Sequence, residues 1–302
     1  MTRQKQIIVH IGLPKTGTTT LQSYFERLDF YVGKNPNMRT HFIHMIRYKT
    51  GLVKPCCFLL KFLLTNSLRY SKDFFGNDKL FLSDEDLSLP APPEEGGFFF
   101  VSPPYGTDTI LQTRNLEEMP IIKTLRRRRH PFNTKNIKII ISIRKQQVLL
   151  PSLYAERSSR NIHAGQKDFE EQISHFLNHY GFYLEYDQWH KTLADIVGSE
   201  NVLVLPLESI NSPLYWSALS EFIGSELEKP LTTRNLNTKK HHDNIWALQT
   251  PQENPCLKIE KRTREEYIQL SSDLRDIIEK HFKLSNTNAQ NKIPLLKSAE
   301  EY

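Results

Sequence analysis

Residues 12–20, with the sequence Gly-Leu-Pro-Lys-Thr-Gly-Thr-Thr-Thr, directly follow an apolar run at residues 7–11. The pattern predicts a strand, then a turn with two glycines, then a helix that begins near Thr18. In this arrangement several backbone N–H groups point at one place, and the helix dipole adds positive potential there. Such a loop binds anions, most often a phosphate. The glycines have the spacing of the first part of a Walker A loop, but Thr18 stands where the lysine should follow, and the lysine lies inside the loop at Lys15. Because a kinase or an ATPase needs that lysine on the terminal phosphates, the departure argues against ordinary nucleoside triphosphate chemistry.

A second set of anion-binding residues follows a later apolar run. Residues 137–143 hold five isoleucines, Arg144 comes next, and Ser152 follows eight residues after it. An arginine fork together with a hydroxyl is a common phosphate grip. The alternative for Arg144 is a surface ion pair or a helix cap.

The two motifs together resemble the PAPS-dependent sulfotransferases, in particular the bacterial carbohydrate-type members. PAPS is 3′-phosphoadenosine 5′-phosphosulfate, and PAP is its desulfated product. The resemblance implies that the loop holds the 5′-phosphosulfate, that Lys15 serves the leaving oxygen, that Arg144 and Ser152 hold the 3′-phosphate, and that no metal takes part. The residues implied in donor binding are Pro14, Lys15, Thr16, Gly17, Thr18, Thr19, Thr20, Arg144 and Ser152.

An alcohol acceptor must lose a proton as it attacks, so the reaction needs a base. Glu85 is our leading prediction, because it follows a short apolar strand at residues 80–82 in a Ser-Asp-Glu sequence that looks like the S-x-E element of the bacterial members. Two alternatives stay open. The acids at 84–86 could be turn and N-cap residues, and the base could be His41 or His44.

The acceptor class is predicted from family-like elements. The S-x-E-like element, and the lack of an R-K-G element near residues 235–240, favour a carbohydrate or a glycolipid. Nucleotide contact by Asn237 or Lys239 in that late segment is a further hypothesis. The aromatic, proline-rich segment at residues 88–108 could stack on sugars or line an apolar pocket.

Composition sets the broad class. The chain has 302 residues, of which 38% are hydrophobic and 25% charged, as in a soluble globular protein. Its net charge of +6 suits a protein that holds a polyanionic nucleotide and does not imply nucleic acid. The basic run at 126–129 fits the solvated end of a helix, with an anionic-substrate or membrane-surface patch as the alternative.

The cysteines and the apolar runs bear on location. Cys56, Cys57 and Cys256 form neither a metal spacing nor an even framework, which favours a reducing compartment. We expect no signal peptide and no transmembrane segment. A cytoplasmic enzyme is therefore predicted, and its oligomeric state is left open.

The elements that must position these residues are strands separated by helices. Apolar runs at 6–11, 80–82, 137–143 and 201–205 predict one P-loop-like α/β domain, with a central, mainly parallel sheet flanked by helices, over residues 1–285. A polar, loosely ordered tail is expected over 286–302. Since Lys15, Glu85 and Arg144 all follow strands, they should share one sheet edge. The rival readings are a P-loop kinase or NTPase and a non-catalytic nucleotide-binding protein on the same fold.

Overall fold

The computed structural model describes residues 6–13, 15–28, 79–84, 115–126, 136–161, 163–227, 244–249 and 266–297. These residues form a parallel sheet with helices on both faces and a small two-stranded ribbon. The strands are β1 Gln6–Gly12, β2 Lys79–Asp84, β3 Ile137–Ile143, β4 Val202–Pro206, β5 Ile245–Ala247 and β6 Tyr267–Gln269. The helices are α1 Thr18–Phe25, α2 Pro120–Arg126, α3 Gln146–Arg157, α4 Gln166–Tyr180, α5 Tyr186–Val197, α6 Pro213–Ile223, α7 Ser272–Lys292 and α8 Pro294–Lys297.

The central sheet has the strand order β2-β1-β3-β4, and each neighbouring pair is parallel. At the carboxyl edge, Ile11 pairs with Asp84 in β2 and Gly12 pairs with Ser142 in β3. The chain leaves β1 to one side for β2 and then crosses to the other side for β3. This reversal creates a switch point beside β1, which is where open parallel sheets bind ligands. The predicted fold class, an α/β domain with a mainly parallel central sheet, is confirmed.

Alternate residues of each strand serve two different cores, as strand geometry requires. Ile7, Val9 and Ile11 face the larger cluster, which α3, α4, α5 and α7 complete. Ile8 and Ile140 face the smaller cluster with α1 and α6. Both faces of β1 and β3 are therefore covered, which explains why these strands read as nearly continuous apolar runs.

The structure differs from the sequence-based expectation near the C-terminus. The sequence pattern predicts a helix over residues 264–282, but residues 267–269 form β6, which pairs antiparallel with β5. The helix α7 begins at Ser272, whose neighbour Ser271 caps it by accepting a hydrogen bond from the N–H of Leu274. A three-residue strand is too short to give a periodic signal, so the tertiary pairing with β5 decides the structure there.

The segment after Ser285 was expected to be a loosely ordered polar tail, and this expectation is wrong for residues 286–297. The helix α7 continues to Lys292, and α8 follows it. Ala289, Ile293 and Leu296 are buried in the larger core. These three apolar residues, spaced as on one face of a helix, anchor an otherwise polar stretch. The overall composition of the stretch does not reveal them. The division of the chain at residue 285 stays a prediction.

The helices in the described part of the chain include none with an apolar stretch of membrane-spanning length.

Candidate functional site

The loop between β1 and α1 has the backbone of an anion site. Gly17 precedes the helix in a left-handed conformation with φ of 79°, and no side chain caps the helix there. The N–H of Leu21 donates to the carbonyl of Gly17, so the first intrahelical bond begins at residue 21. The N–H groups of residues 18–20 thus have no acceptor within the helix, as at any helix start. They are available to an anion, and the helix dipole favours one.

Two glycines are required for close approach in this loop. A Cβ atom on Gly12 would lie 2.0 Å from Thr18 Oγ1, and one on Gly17 would lie 2.5 Å from Leu207 Cδ1. Gly12 lets the start of α1 rest directly on the end of β1. At position 17 the backbone has a positive φ, which glycine adopts without strain. A side chain there would also collide with Leu207, which lies just after β4.

Thr18 carries an unusual hydroxyl. The residue is 4% exposed, and Thr18 Oγ1 has no hydrogen-bond partner among the described residues. A buried hydroxyl without a partner is costly, so such a group calls for an explanation. A phosphate oxygen at the helix start would supply the partner.

Lys15 lies within the loop between β1 and α1. Its φ is +65°, a left-handed value that few residues other than glycine adopt. Strained backbone of this kind persists where the surroundings impose it, often at functional sites. The side chain is 28% exposed, and its ammonium forms an ion pair with the carboxylate of Glu156.

Arg144 joins the end of β3 to the loop. Its Nη1 donates to the carbonyl of Lys15 at 3.3 Å and to Ser152 Oγ at 3.5 Å. Both predicted halves of the site therefore meet: the loop residue Lys15, the strand-end Arg144 and the helical Ser152 lie within one hydrogen-bonded group. Ser152 and Glu156 are four residues apart on α3 and so share one face of that helix.

Two buried aromatic residues donate hydrogen bonds to Ser152 and Arg144. Trp246 of β5 is buried and donates its indole N–H to Ser152 Oγ at 3.2 Å. Ser152 itself donates to the carbonyl of Val148 at 2.7 Å. The hydroxyl of Tyr186 donates to the carbonyl of Arg144, and burial, reinforced by Glu208, raises the pKa of Tyr186 well above its usual value. The phenol therefore stays a donor at any physiological pH.

A polar bridge beneath the loop ties three strands together. His10 in β1 is fully buried, with Nδ1 2.6 Å from Ser83 Oγ in β2 and Nε2 2.7 Å from Ser142 Oγ in β3. Burial lowers the pKa of His10 to about 3, so the ring is neutral and carries one N–H. One ring nitrogen donates and the other accepts, and the pair of bonds fixes the strand ends from which the site residues leave.

Most of the predicted donor-binding residues lie close together, and some other predicted residues lie outside the described part of the chain. Lys15, Arg144 and Ser152 converge, and residues 16–20 form the turn and the helix start beside them. Six predicted residues lie outside the described part of the chain: Pro14, His41, His44, Glu85, Asn237 and Lys239. The aromatic segment 88–108 lies outside it as well. The strand that precedes Glu85 ends at Asp84, in register with Ile11 of β1.

Four residues of the site were missed by sequence reasoning: Glu156, Trp246, Tyr186 and His10. Glu156 had a usable signal, because it lies one helical turn after Ser152. His10 also had one, because it is a polar residue inside the apolar run of β1. Trp246 lies 94 residues from its partner Ser152, and no local pattern reports such a contact.

Among the described residues, no group of three or more histidines, cysteines or acidic residues is arranged to hold a metal ion. The polar groups of the site are those of an anion-binding centre, with a lysine, an arginine, a serine and a helix N-terminus on one sheet edge.

The fold and this site define an α/β protein with a parallel sheet, in which the loop after β1 meets Arg144 and Ser152 at the carboxyl edge. Residues 4–292 match the model of the sulfotransferase domain family, and the chain belongs to that family. Among solved structures, it is similar to a sulfotransferase from Alicyclobacillus acidocaldarius, with 15% identity, 96% of each chain covered and a TM-score of 0.48. No curated protein sequence matches the chain significantly.

Proposed function

We propose that this protein is an enzyme that transfers a sulfuryl group from PAPS to a hydroxyl or amine acceptor on a carbohydrate or a glycolipid. The observation that carries the proposal is the meeting of Lys15, Arg144 and Ser152 in one hydrogen-bonded group. A 5′-phosphosulfate and a 3′-phosphate are two separate anions on one nucleotide. The chain offers two separate grips that are joined through the carbonyl of Lys15.

Bound PAPS supplies a sulfuryl group whose transfer breaks the bond from sulfur to the 5′-phosphate oxygen, and that oxygen keeps the electron pair. The step therefore needs positive charge and aligned donors at this oxygen. Lys15 and the N–H groups of residues 18–20 supply them, and Thr18 Oγ1 can donate to the same phosphate. Arg144 and Ser152 hold the 3′-phosphate and so fix the nucleotide along the sheet edge.

A kinase or an NTPase is the first alternative. It would place a lysine at the start of α1, where this chain has Thr18, a buried residue whose side chain is too short to reach a terminal phosphate. A non-catalytic nucleotide-binding protein is the second alternative. Such a protein would need Arg144 and Ser152 but would have no use for a lysine held in a left-handed backbone conformation at the loop.

The acceptor and its base complete the proposal. Glu85 is the proposed base, with His41 and His44 as the alternatives, and the acid directly follows the strand next to β1. The proposed carbohydrate or glycolipid acceptor rests on the S-x-E-like element and on the absence of an R-K-G element. The proposed reaction requires no metal, and a cytoplasmic location stays a prediction from the cysteine usage.

Thermal unfolding in the presence of nucleotides tests the donor. Since PAP binds only the folded state, it should raise the melting temperature by mass action. ATP should raise it less, because it lacks a 3′-phosphate for Arg144 and Ser152. Equal stabilisation by ATP and PAP at the same concentration would reject the proposed donor.

A further inference from the structure

The ammonium of Lys15 is neutralised within the site itself. Its partner, the carboxylate of Glu156, lies on the last turn of α3, on the same helix face as Ser152. The lysine reaches away from its own loop to the helix that carries the second phosphate grip. This contact therefore joins the loop after β1 to α3, the helix that carries Ser152.

An acidic residue at this point opposes the chemistry of its surroundings. Lys15, Arg144 and the start of α1 make the edge of the sheet attractive to anions, while Glu156 brings a negative charge against the cation that a donor needs most. The two side chains are 28% and 39% exposed, so the pair is partly screened by water. Such a pair is weak enough to be exchanged for a better anion.

We propose that Glu156 is the resting counter-ion of Lys15: it holds the ammonium while no donor is bound and gives it up to the phosphosulfate of the donor. The inference rests on the proposed function for the identity of the donor. It makes Glu156 a positioning residue that acts through Lys15. The ion pair also fixes one conformation of a long side chain, which otherwise would have many rotamers.

Removal of the charge should strengthen anion binding. In the variant Glu156→Gln, the ammonium of Lys15 no longer has to leave a carboxylate before it can bind the ligand. We expect PAP and inorganic pyrophosphate, which mimics the two linked anions of the phosphosulfate, to bind roughly threefold to tenfold more tightly at low salt. Isothermal titration calorimetry measures both ligands, and Glu156→Ala should change affinity in the same direction.

The matched control is Glu171→Gln. Glu171 pairs with Lys167 on the exposed surface of α4, with Nζ and Oε1 3.8 Å apart. This variant makes the same change in net charge outside the site. Its affinity for both ligands should equal that of the wild type.

A double-mutant cycle shows whether Glu156 acts through Lys15. In a Lys15→Ala background, Glu156→Gln should leave both affinities unchanged, because the cation that links the carboxylate to the ligand is gone. A gain of the same size in that background would overturn the inference, since Glu156 would then repel the anion directly. Weaker or unchanged binding by Glu156→Gln in the presence of Lys15 would overturn it as well.

The two ligands separate this inference from the proposed function. If pyrophosphate shows the predicted dependence on Glu156 and Lys15 while PAP binds no better than pyrophosphate, the counter-ion role stands and the donor assignment fails. If PAP binds tightly but neither ligand responds to Glu156→Gln, the donor assignment stands and the counter-ion role fails. The counter-ion role is also overturned if none of the four proteins of the double-mutant cycle binds pyrophosphate.

Discussion

Thr18 Oγ1 lies so close to the backbone of Gly12 that a Cβ atom on residue 12 would come within 2.0 Å of it. The hydroxyl is buried at the start of α1, and it has no hydrogen-bond partner among the described residues. The end of the first strand and the start of the first helix thus form one compact unit. Within this unit, Thr18 Oγ1 is a buried polar atom that the described residues leave unpaired.

The first prediction concerns the hydroxyl of Thr18. Thr18→Val keeps the shape of the side chain and removes a buried polar atom, so the ligand-free protein should be as stable as the wild type or more stable. The affinity for PAP should fall by roughly tenfold or more, because a charge-assisted hydrogen bond to phosphate is lost. Thermal unfolding and calorimetric titration measure the two effects. Thr192→Val, which changes a buried threonine on α5, is the control and should leave PAP binding unchanged.

Arg144 should discriminate nucleotides by their 3′-phosphate. Arg144→Ala should weaken PAP by at least about tenfold, since a phosphate would lose a charged partner, and it should leave adenosine 5′-phosphate nearly unaffected. The ratio of the two dissociation constants, measured by titration, is the readout. Arg144 also donates to the carbonyl of Lys15. An equal loss for both nucleotides would therefore mean that the arginine supports the loop and does not hold the 3′-phosphate.

The buried His10 should make stability depend on pH. The pKa of His10 is about 3 in the folded protein, below its ordinary value of 6.5, because burial penalises the charged ring. Between these values the unfolded chain binds a proton that the folded protein does not, so the free energy of unfolding falls as the pH falls from about 6.5 toward 3. In that window, His10 should lower the free energy of unfolding by about 1.4 kcal/mol for each pH unit of acidification. Above about pH 6.5 the ring is neutral in both states, so this loss should be absent.

Urea unfolding of the wild type and of His10→Gln at several pH values isolates this contribution. Glutamine does not titrate, and its amide can still bond to one of the two serines. The pH slope of the variant should be smaller than that of the wild type by one proton. Parallel slopes would show that His10 is not held neutral between Ser83 and Ser142.

The parallel sheet and the convergence of Lys15 and Arg144 could be predicted from the sequence because their signals are local. Residues 7–11 and 137–143 are apolar runs long enough to identify buried strands, and Lys15 and Arg144 directly follow them. In parallel strands that order places both residues at one edge. The glycine spacing also predicts the loop. At Gly12 and Gly17 any larger residue would clash with its neighbours, Thr18 and Leu207 respectively.

Other features depend on contacts between distant parts of the chain. The indole of Trp246 reaches Ser152 only because β5 and β6 pair with each other and lie against α3, and three-residue strands give no periodic pattern. Residues 286–297 form the end of α7 and then α8, although this segment is polar overall. They do so because Ala289, Ile293 and Leu296 are buried in the larger core. Tertiary packing decides such positions, and local propensity does not.

The base is a prediction from the sequence. Glu85→Gln keeps the size and much of the hydrogen bonding of the side chain but cannot accept the proton of the acceptor. If Glu85 is the base, turnover should fall by roughly 10²–10⁴-fold while the affinity for PAP barely changes. Steady-state kinetics and titration on the same variant provide the test. A fully active but destabilised Glu85→Gln would instead identify a capping residue and direct attention to His41 or His44.

The most direct test of the account is the transfer of radiolabelled sulfate from PAPS to a panel of glycans, glycolipids and phenols, with the wild type and with Lys15→Ala. The wild type should label an acceptor, and a chelator should not reduce the rate. In Lys15→Ala, turnover should fall by roughly 100-fold or more while PAP affinity changes much less, because the ammonium is needed most as the leaving oxygen becomes negative. Near-normal turnover by Lys15→Ala would contradict the account. So would a lack of labelling from PAPS together with metal-dependent phosphoryl transfer from labelled ATP.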